Sequence, residues 1–231
     1  MSKDPHQKLK VQLVLIDLDG TLVDSVPDLA YAIDGMMSQL DLPQRGEEKV
    51  RQWIGNGVER LVKRALVDQM SGEPEEALFK TAFHLFEICY KECNGQYSRL
   101  FSGVRQGIDW LKSQNLPLAC ITNKAEQFTI PLLKALNLFN DFQLVISGDT
   151  LPKQKPDPMP LLHVANHFGI APAQSLMIGD STNDIQAARA AGFPILCVTY
   201  GYNHGHDIRT AGADVVIDSL AELPNSIIIE K

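Results

Sequence analysis

Apolar positions along this chain recur in two rhythms. Residues 11–16 (VQLVLI) are mostly aliphatic and β-branched, which predicts a strand buried on both faces. The run stops at Asp17-Leu18-Asp19-Gly20-Thr21. Over residues 26–40 the apolar positions Val26, Leu29, Ile33, Met36 and Leu40 fall at the helical period. Pro27 suits the first turn of that helix, and Ser25 is its expected N-cap. Further helices are expected over 47–54, 56–70 and 73–93, the last carrying Phe79, Phe83, Phe86 and Tyr90 at three- and four-residue spacings. No strand is expected between 26 and about 98, so this stretch reads as an all-helical block.

From Gly103 the rhythm alternates. Helices are expected over 104–115, 125–136, 160–168 and 181–190, and strands over 117–122, 142–147, 175–178, 195–199 and 214–217. Alternating strands and helices imply a parallel sheet covered on both faces. The expected fold class is therefore α/β: a doubly wound, Rossmann-like core of residues 1–24 and 99–231, with a helical unit of residues 25–98 inserted after the first strand.

Composition narrows the function classes. A net charge of -7 over 231 residues argues against nucleic acid or an anionic membrane as partner. No apolar run approaches the ~20 residues of a membrane span, and the N-terminal stretch MSKDPHQKLK has no signal-peptide core. Cys89, Cys93, Cys120 and Cys197 do not form a disulfide-like framework and read as packing residues, which points to a reducing cytoplasm. His163 and His167, four apart, lack the Glu of a zinc-protease pattern and read as structural, and His204 and His206 are not expected at the site.

In an open α/β sheet the ligand lies beyond the carboxyl ends of the strands. Those ends deliver Asp17 and Asp19, then Thr122 and Asn123, then Asp180, with Asp184 one helical turn further on; a loop adds Lys153 and Lys155. Each residue alone has an ordinary reading as a cap or a solvated charge. Together, several carboxylates on one rim repel unless a cation sits between them, and all-oxygen ligands favour Mg²⁺. Asp17, the Asp19 backbone carbonyl and Asp180 are the expected ligands, with Asp184 acting through water. Lysine and Thr/Asn donors beside such an ion form a pocket for a phosphoryl trianion. Asp17 would then attack phosphorus, and Asp19 would serve first as acid and then as base.

The stretches DLDGTLVDS, ITNK, KPDP and GDSTND, in this order, resemble the four motifs of the haloacid dehalogenase superfamily, and residues 25–98 resemble its helical C1-type cap. The resemblance covers most of the chain. It implies a phosphatase of small phosphate monoesters, with Asp17 as nucleophile, Asp19 as acid/base, and Thr122 and Lys155 on the phosphoryl group; Lys155 is preferred over Lys153 because it directly precedes Pro156-Asp157-Pro158. In the cap segment WIGNGVERLVKRAL the resemblance implies 2-phosphoglycolate as substrate, and the helix N-terminus at Gly55-Asn56-Gly57 with the cation Arg60 suits a small phosphate carrying a second negative group. Thr21 and Asn123 complete the expected substrate-binding set, and the expected state is a monomer or weak homodimer. Alternatives are another phosphatase or a sugar phosphomutase. A phosphoacceptor receiver domain has no use for the cap or for a carboxylate two residues after the nucleophile.

Overall fold

The computed structural model describes residues 8–229; the expectation for the extreme N-terminus, residues 1–7, lies outside them. In chain order, β1 (Leu9–Val11), β2 (Leu13–Ile16) and β3 (Val23–Asp24) lead into four helices: α1 (Val26–Gln39), α2 (Gly46–Trp53), α3 (Val58–Val67) and α4 (Glu76–Cys93). β4 (Arg99–Leu100) returns the chain to alternation: α5 (Val104–Ser113), β5 (Leu118–Ile121), α6 (Glu126–Ala135), β6 (Leu144–Ile146), α7 (Met159–Phe168), β7 (Ser175–Gly179), α8 (Thr182–Ala191), β8 (Ile195–Val198) and β9 (Val215–Ile217). A short helix α9 (Leu223–Ser226) and β10 (Ile227–Ile229) follow.

The main sheet has the order β6-β5-β2-β7-β8-β9, and every pairing in it is parallel. Successive strand residues point to opposite faces. On one face Val14, Ile16, Leu118, Cys120, Leu176 and Ile178 pack with α5 and α6. On the other, Leu13, Leu15, Ala119, Ile121, Met177 and Ile195 pack with α7 and α8. Both faces are apolar because both are covered, which is why these strands read as continuous aliphatic runs rather than alternating ones.

The connections run outward from β2 in both directions, to β5 and β6 on one side and to β7, β8 and β9 on the other. β2 is therefore the switch point of the sheet, where adjacent crossovers part and leave a crevice. In register, Ile16 pairs with both Cys120 and Ile178, so the three central strands end almost level. Asp17, Thr122 and Asp180 follow those ends directly.

Helices α1–α4 form a separate apolar cluster that includes Ile33, Met36, Trp53, Leu61 and Phe86, and it closes onto the α/β layer through Phe128 and Tyr202. Tyr90 of α4 stacks on Phe86 at 5.3 Å and meets Phe128 at 4.7 Å. Asp28 fastens the two ends of the helical block. Fully buried on α1, its carboxylate accepts from Gly95 N and Tyr97 N, each at 2.7 Å, and from the Ser98 hydroxyl.

Three expectations need correction. The single strand over 11–16 breaks at Gln12, whose half-buried position bends the chain and whose N–H donates to Gln174 O at 2.8 Å. Leu9–Val11 pairs instead with β10. Ser25 makes no side-chain cap; its Oγ is buried without a hydrogen bond, and its backbone N–H donates to Tyr202 Oη at 2.9 Å. The helix expected from 56 begins at Val58, because Gly57 holds φ 80°, outside helical geometry. Cys89, Cys93, Cys120 and Cys197 are buried and unbridged.

Replacing Asp28 removes a buried carboxyl acceptor from the amides of Gly95 and Tyr97 and the hydroxyl of Ser98. Asp28→Ala is expected to lower stability by about 3 kcal/mol or more, measured by urea unfolding, with Asp28→Asn recovering part of the loss.

Candidate active site

The polar residues at the three central strand ends meet in one buried cluster. Asp17, Asp180 and Asp184 each place a carboxylate oxygen so that all three atoms lie within 4.8 Å of one another. Lys155 stands among them, with Nζ 2.8 Å from Asp17 Oδ1, 2.7 Å from Asp184 Oδ1 and 2.9 Å from Ile121 O. Those contacts use its three donors. Asp180 is held from both sides, Oδ1 accepting from Thr21 Oγ1 at 2.9 Å and Oδ2 from Tyr202 N at 2.7 Å. Asp184 Oδ2 reaches back to Ser181 N and Oγ at the start of α8, at 3.1 and 2.7 Å.

The charges are strained by burial. Asp17 is pushed well above the ordinary carboxyl range by desolvation; Lys155 pulls it back, and Asp184 and Asp180 push it further up. Asp180 rises to about 7, again through burial first and Asp184 second. Burial acts to lower the Lys155 pKa, yet Asp17 and Asp184 outweigh it and the net shift is upward, so the ammonium stays charged.

Asp19 lies on the turn after Asp17. Gly20 takes φ 90° there, and a Cβ at that position would sit 2.3 Å from Asp180 Oδ2, so the turn can approach Asp180 only because it carries no side chain. Lys124 grips the Asp19 carboxylate on both oxygens, at 3.0 and 3.1 Å. Thr122, buried beside them, accepts from Lys124 N through Oγ1 at 3.1 Å, and Asn123 Nδ2 donates to Lys155 O at 2.9 Å.

Above this floor the helical block supplies a roof. A cleft lies between them, with Leu29, Ile54, Val58 and Leu61 on the apolar side. The residues expected at the site divide at this cleft. Asp17, Asp19, Thr122, Asn123, Lys155, Asp180 and Asp184 line it, as do Gly55 and Gly57. Three residues fall elsewhere. Thr21 spends its hydroxyl on Asp180 behind the cleft. Arg60 turns away to Glu73 at 2.7 Å, where Lys63 also binds. Asn56 accepts from Arg64 Nη2 at 2.9 Å and faces an outer groove, which the exposed Lys153 also lines. Conversely, His204, expected outside, lines the cleft, with Nδ1 donating to Gln52 O at 3.0 Å; His206 does not.

Comparison with known proteins follows the same lines. A profile of haloacid dehalogenase-like hydrolases matches residues 14–198. The chain belongs to that family. A phosphoglycolate phosphatase from Nitrosococcus oceani is 60% identical over 214 residues, covering 93% of this chain and 95% of the relative. A phosphoglycolate phosphatase from Thiobacillus denitrificans is 53% identical, covering 93% and 94%. Among solved structures, a predicted phosphoglycolate phosphatase from Haemophilus somnus 129pt superposes with a TM-score of 0.86 at 37% identity, covering 93% of this chain and 96% of that one.

Phosphatases of this haloacid dehalogenase-like family use a divalent cation, and the donor set of this hydrolase fits one. Three buried carboxylates converge beside the ammonium of Lys155, an all-oxygen set of the kind a hard divalent cation takes. Four residues of the site lie outside the set expected from the sequence. Lys124 belongs to ITNK, but position alone does not say that it turns inward. Asn183, whose Nδ2 donates to Gly55 O at 2.9 Å, sits inside GDSTND and reads there as a helix-start residue. Tyr202 and His204 come from the loop after β8, which has no polar strand-end pair to announce it.

Lys155 and Lys153 separate cleanly. Lys155→Ala is expected to reduce turnover by about 10²–10³-fold, by analogy with a lost oxyanion donor. Lys153→Ala should stay close to the parent protein in steady-state assays.

Proposed function

We propose that this chain is a magnesium-dependent phosphatase that hydrolyses 2-phosphoglycolate to glycolate and phosphate through an aspartyl-phosphate on Asp17. The observation that carries the reading is the buried convergence of Asp17, Asp180, Asp184 and Lys155 at one strand-end crevice. The names of the two relatives above support the substrate. Asp17, the Asp19 backbone carbonyl and Asp180 would hold Mg²⁺, with Asp184 acting through water. The ion would supply positive charge that keeps Asp17 ionised and offsets the charge of the phosphoryl oxygens.

The chain's own residues do the rest. Thr122 gives its hydroxyl to the phosphoryl group in line with Asp17, Lys155 redirects to a phosphoryl oxygen the N–H it otherwise gives Asp17, and Asn123 fixes the Lys155 backbone through Nδ2. An Asp17 carboxylate oxygen bonds to phosphorus as the bond to the glycolate oxygen breaks, and protonated Asp19 gives its proton to that leaving oxygen. Asp19, now ionised, takes a proton from the water that attacks the phosphorus, which frees phosphate and restores Asp17. Residues 25–98 act as a cap that excludes bulk water, and the N-terminus of α3, whose Gly57 and Val58 line the cleft and which has no side-chain cap, would offer its first amides to the substrate. The four buried, unbridged cysteines accord with a cytoplasmic address.

Asp17→Asn should abolish turnover, because an amide is a poor nucleophile; near-normal activity in that variant would rule the mechanism out. Chelation should stop the reaction, and added Mg²⁺ should restore it. In a panel of phosphate monoesters, phosphoglycolate should show a higher kcat/KM than hexose phosphates or nucleotides. A flat panel would remove the substrate while leaving the phosphatase chemistry intact.

A further inference from the structure

A substrate with a carboxylate opposite its phosphoryl group needs a second cation in the cleft, and the cap does not provide one. Arg60 and Lys63 are both held by Glu73, and Arg64 is spent on Trp53 O, Asn56 Oδ1 and Met70 O. Lys155 has its three donors filled at the phosphoryl end. Lys124 is different. It lines the same cleft, its side chain is 2% exposed, and its ammonium bonds to one carboxylate, that of Asp19. The ammonium also lies over the ring of the buried Tyr90 of α4, 5.1 Å from the centroid. An aromatic face stabilises a cation without consuming a hydrogen-bond acceptor. Lys124 is thus a desolvated cation joining the acidic turn after β2 to the cap.

We infer that Lys124 recognises the carboxylate of the substrate and is the residue that selects a phosphorylated two-carbon acid over a neutral phosphate ester. This inference rests on the phosphatase reading above and deepens it. Three features converge on the assignment. The cleft wall opposite the carboxylate cluster is apolar, from Leu29, Ile54, Val58 and Leu61, and offers a second anion no charged partner of its own. The amides at the α3 N-terminus supply partial charge only. Lys124, close to Asp19, stands beside the leaving-group oxygen that Asp19 protonates, and in a two-carbon acid the carboxylate is one carbon from that oxygen. A longer or uncharged substrate would leave the ammonium without that partner.

The test compares 2-phosphoglycolate with its neutral amide, phosphoglycolamide, which has the same size and the same kind of leaving oxygen. Lys124 also touches Asp19, so its removal slows both substrates, and the informative quantity is the ratio of their kcat/KM values. In the parent protein that ratio favours the acid. In Lys124→Met it is expected to fall about tenfold to a hundredfold, the worth of one buried charge-assisted hydrogen bond, chiefly through KM for the acid. Lys124→Arg should restore most of it. Lys124→Gln, which still donates to Asp19, serves as a second uncharged variant if the methionine protein does not fold, and should show the same fall. A ratio that persists in the uncharged variants would overturn the role of Lys124 and leave phosphoglycolate as the substrate. A parent protein that does not distinguish acid from amide would overturn the substrate reading, and the role of Lys124 with it.

Discussion

The structure turns on the mutual repulsion of carboxylates taken out of water. Asp17, Asp180 and Asp184 are between 0% and 8% exposed, and their oxygens crowd within 4.8 Å. In a low-dielectric setting such a group protonates, recruits a cation or forces the fold apart. This fold supplies one ammonium from Lys155 and leaves room for a divalent ion. Its local details serve that balance. Thr21 and Tyr202 N fix the two oxygens of Asp180, Ser181 fixes Asp184, and Gly20 gives way so the turn can close on Asp180.

The same constraint explains the parallel sheet. Only a switch point brings three strand ends side by side while their crossovers diverge, and β2 lies at that point. The strands can be aliphatic on both faces because α5 and α6 cover one side and α7 and α8 the other. Polar residues are thereby confined to the ends. A charge placed in mid-strand would have no water and no partner, whereas one at the end has the crevice.

The helical block is coupled to this centre through polar contacts. Tyr202 donates its backbone N–H to Asp180, while its hydroxyl binds Asp24 Oδ1 at 2.6 Å and receives Ser25 N. Arg51 of α2 pairs with Asp24 at 3.2 Å and lies over the Tyr202 ring. One tyrosine therefore joins a carboxylate of the buried cluster to the segment by which the chain enters α1. On the far side Asn123 and Asn183 both donate to Gly55 O. Core and helical block share hydrogen bonds around the cleft, so positions that touch no reacting atom bear on its shape.

The sequence by itself determined what is local or periodic. Helical and strand periods gave the order of elements, and the pairing of acidic residues with strand ends gave Asp17, Asp19, Asp180 and Asp184, because several carboxylates on one rim, each ordinary alone, repel unless a cation sits between them. The resemblance to the family's motifs preferred Lys155 to Lys153, because Lys155 directly precedes Pro156-Asp157-Pro158. Tertiary structure decided which long side chains turn inward. Arg60, Arg64 and Lys124 all lie near the expected site in sequence, yet the first two are captured by Glu73 and by backbone carbonyls, and Lys124 alone of the three lines the cleft. Flexible side chains follow whichever counter-charge the packed fold brings within reach. That choice involves residues far apart in the chain, such as Asp19 and Lys124, and no local pattern records it.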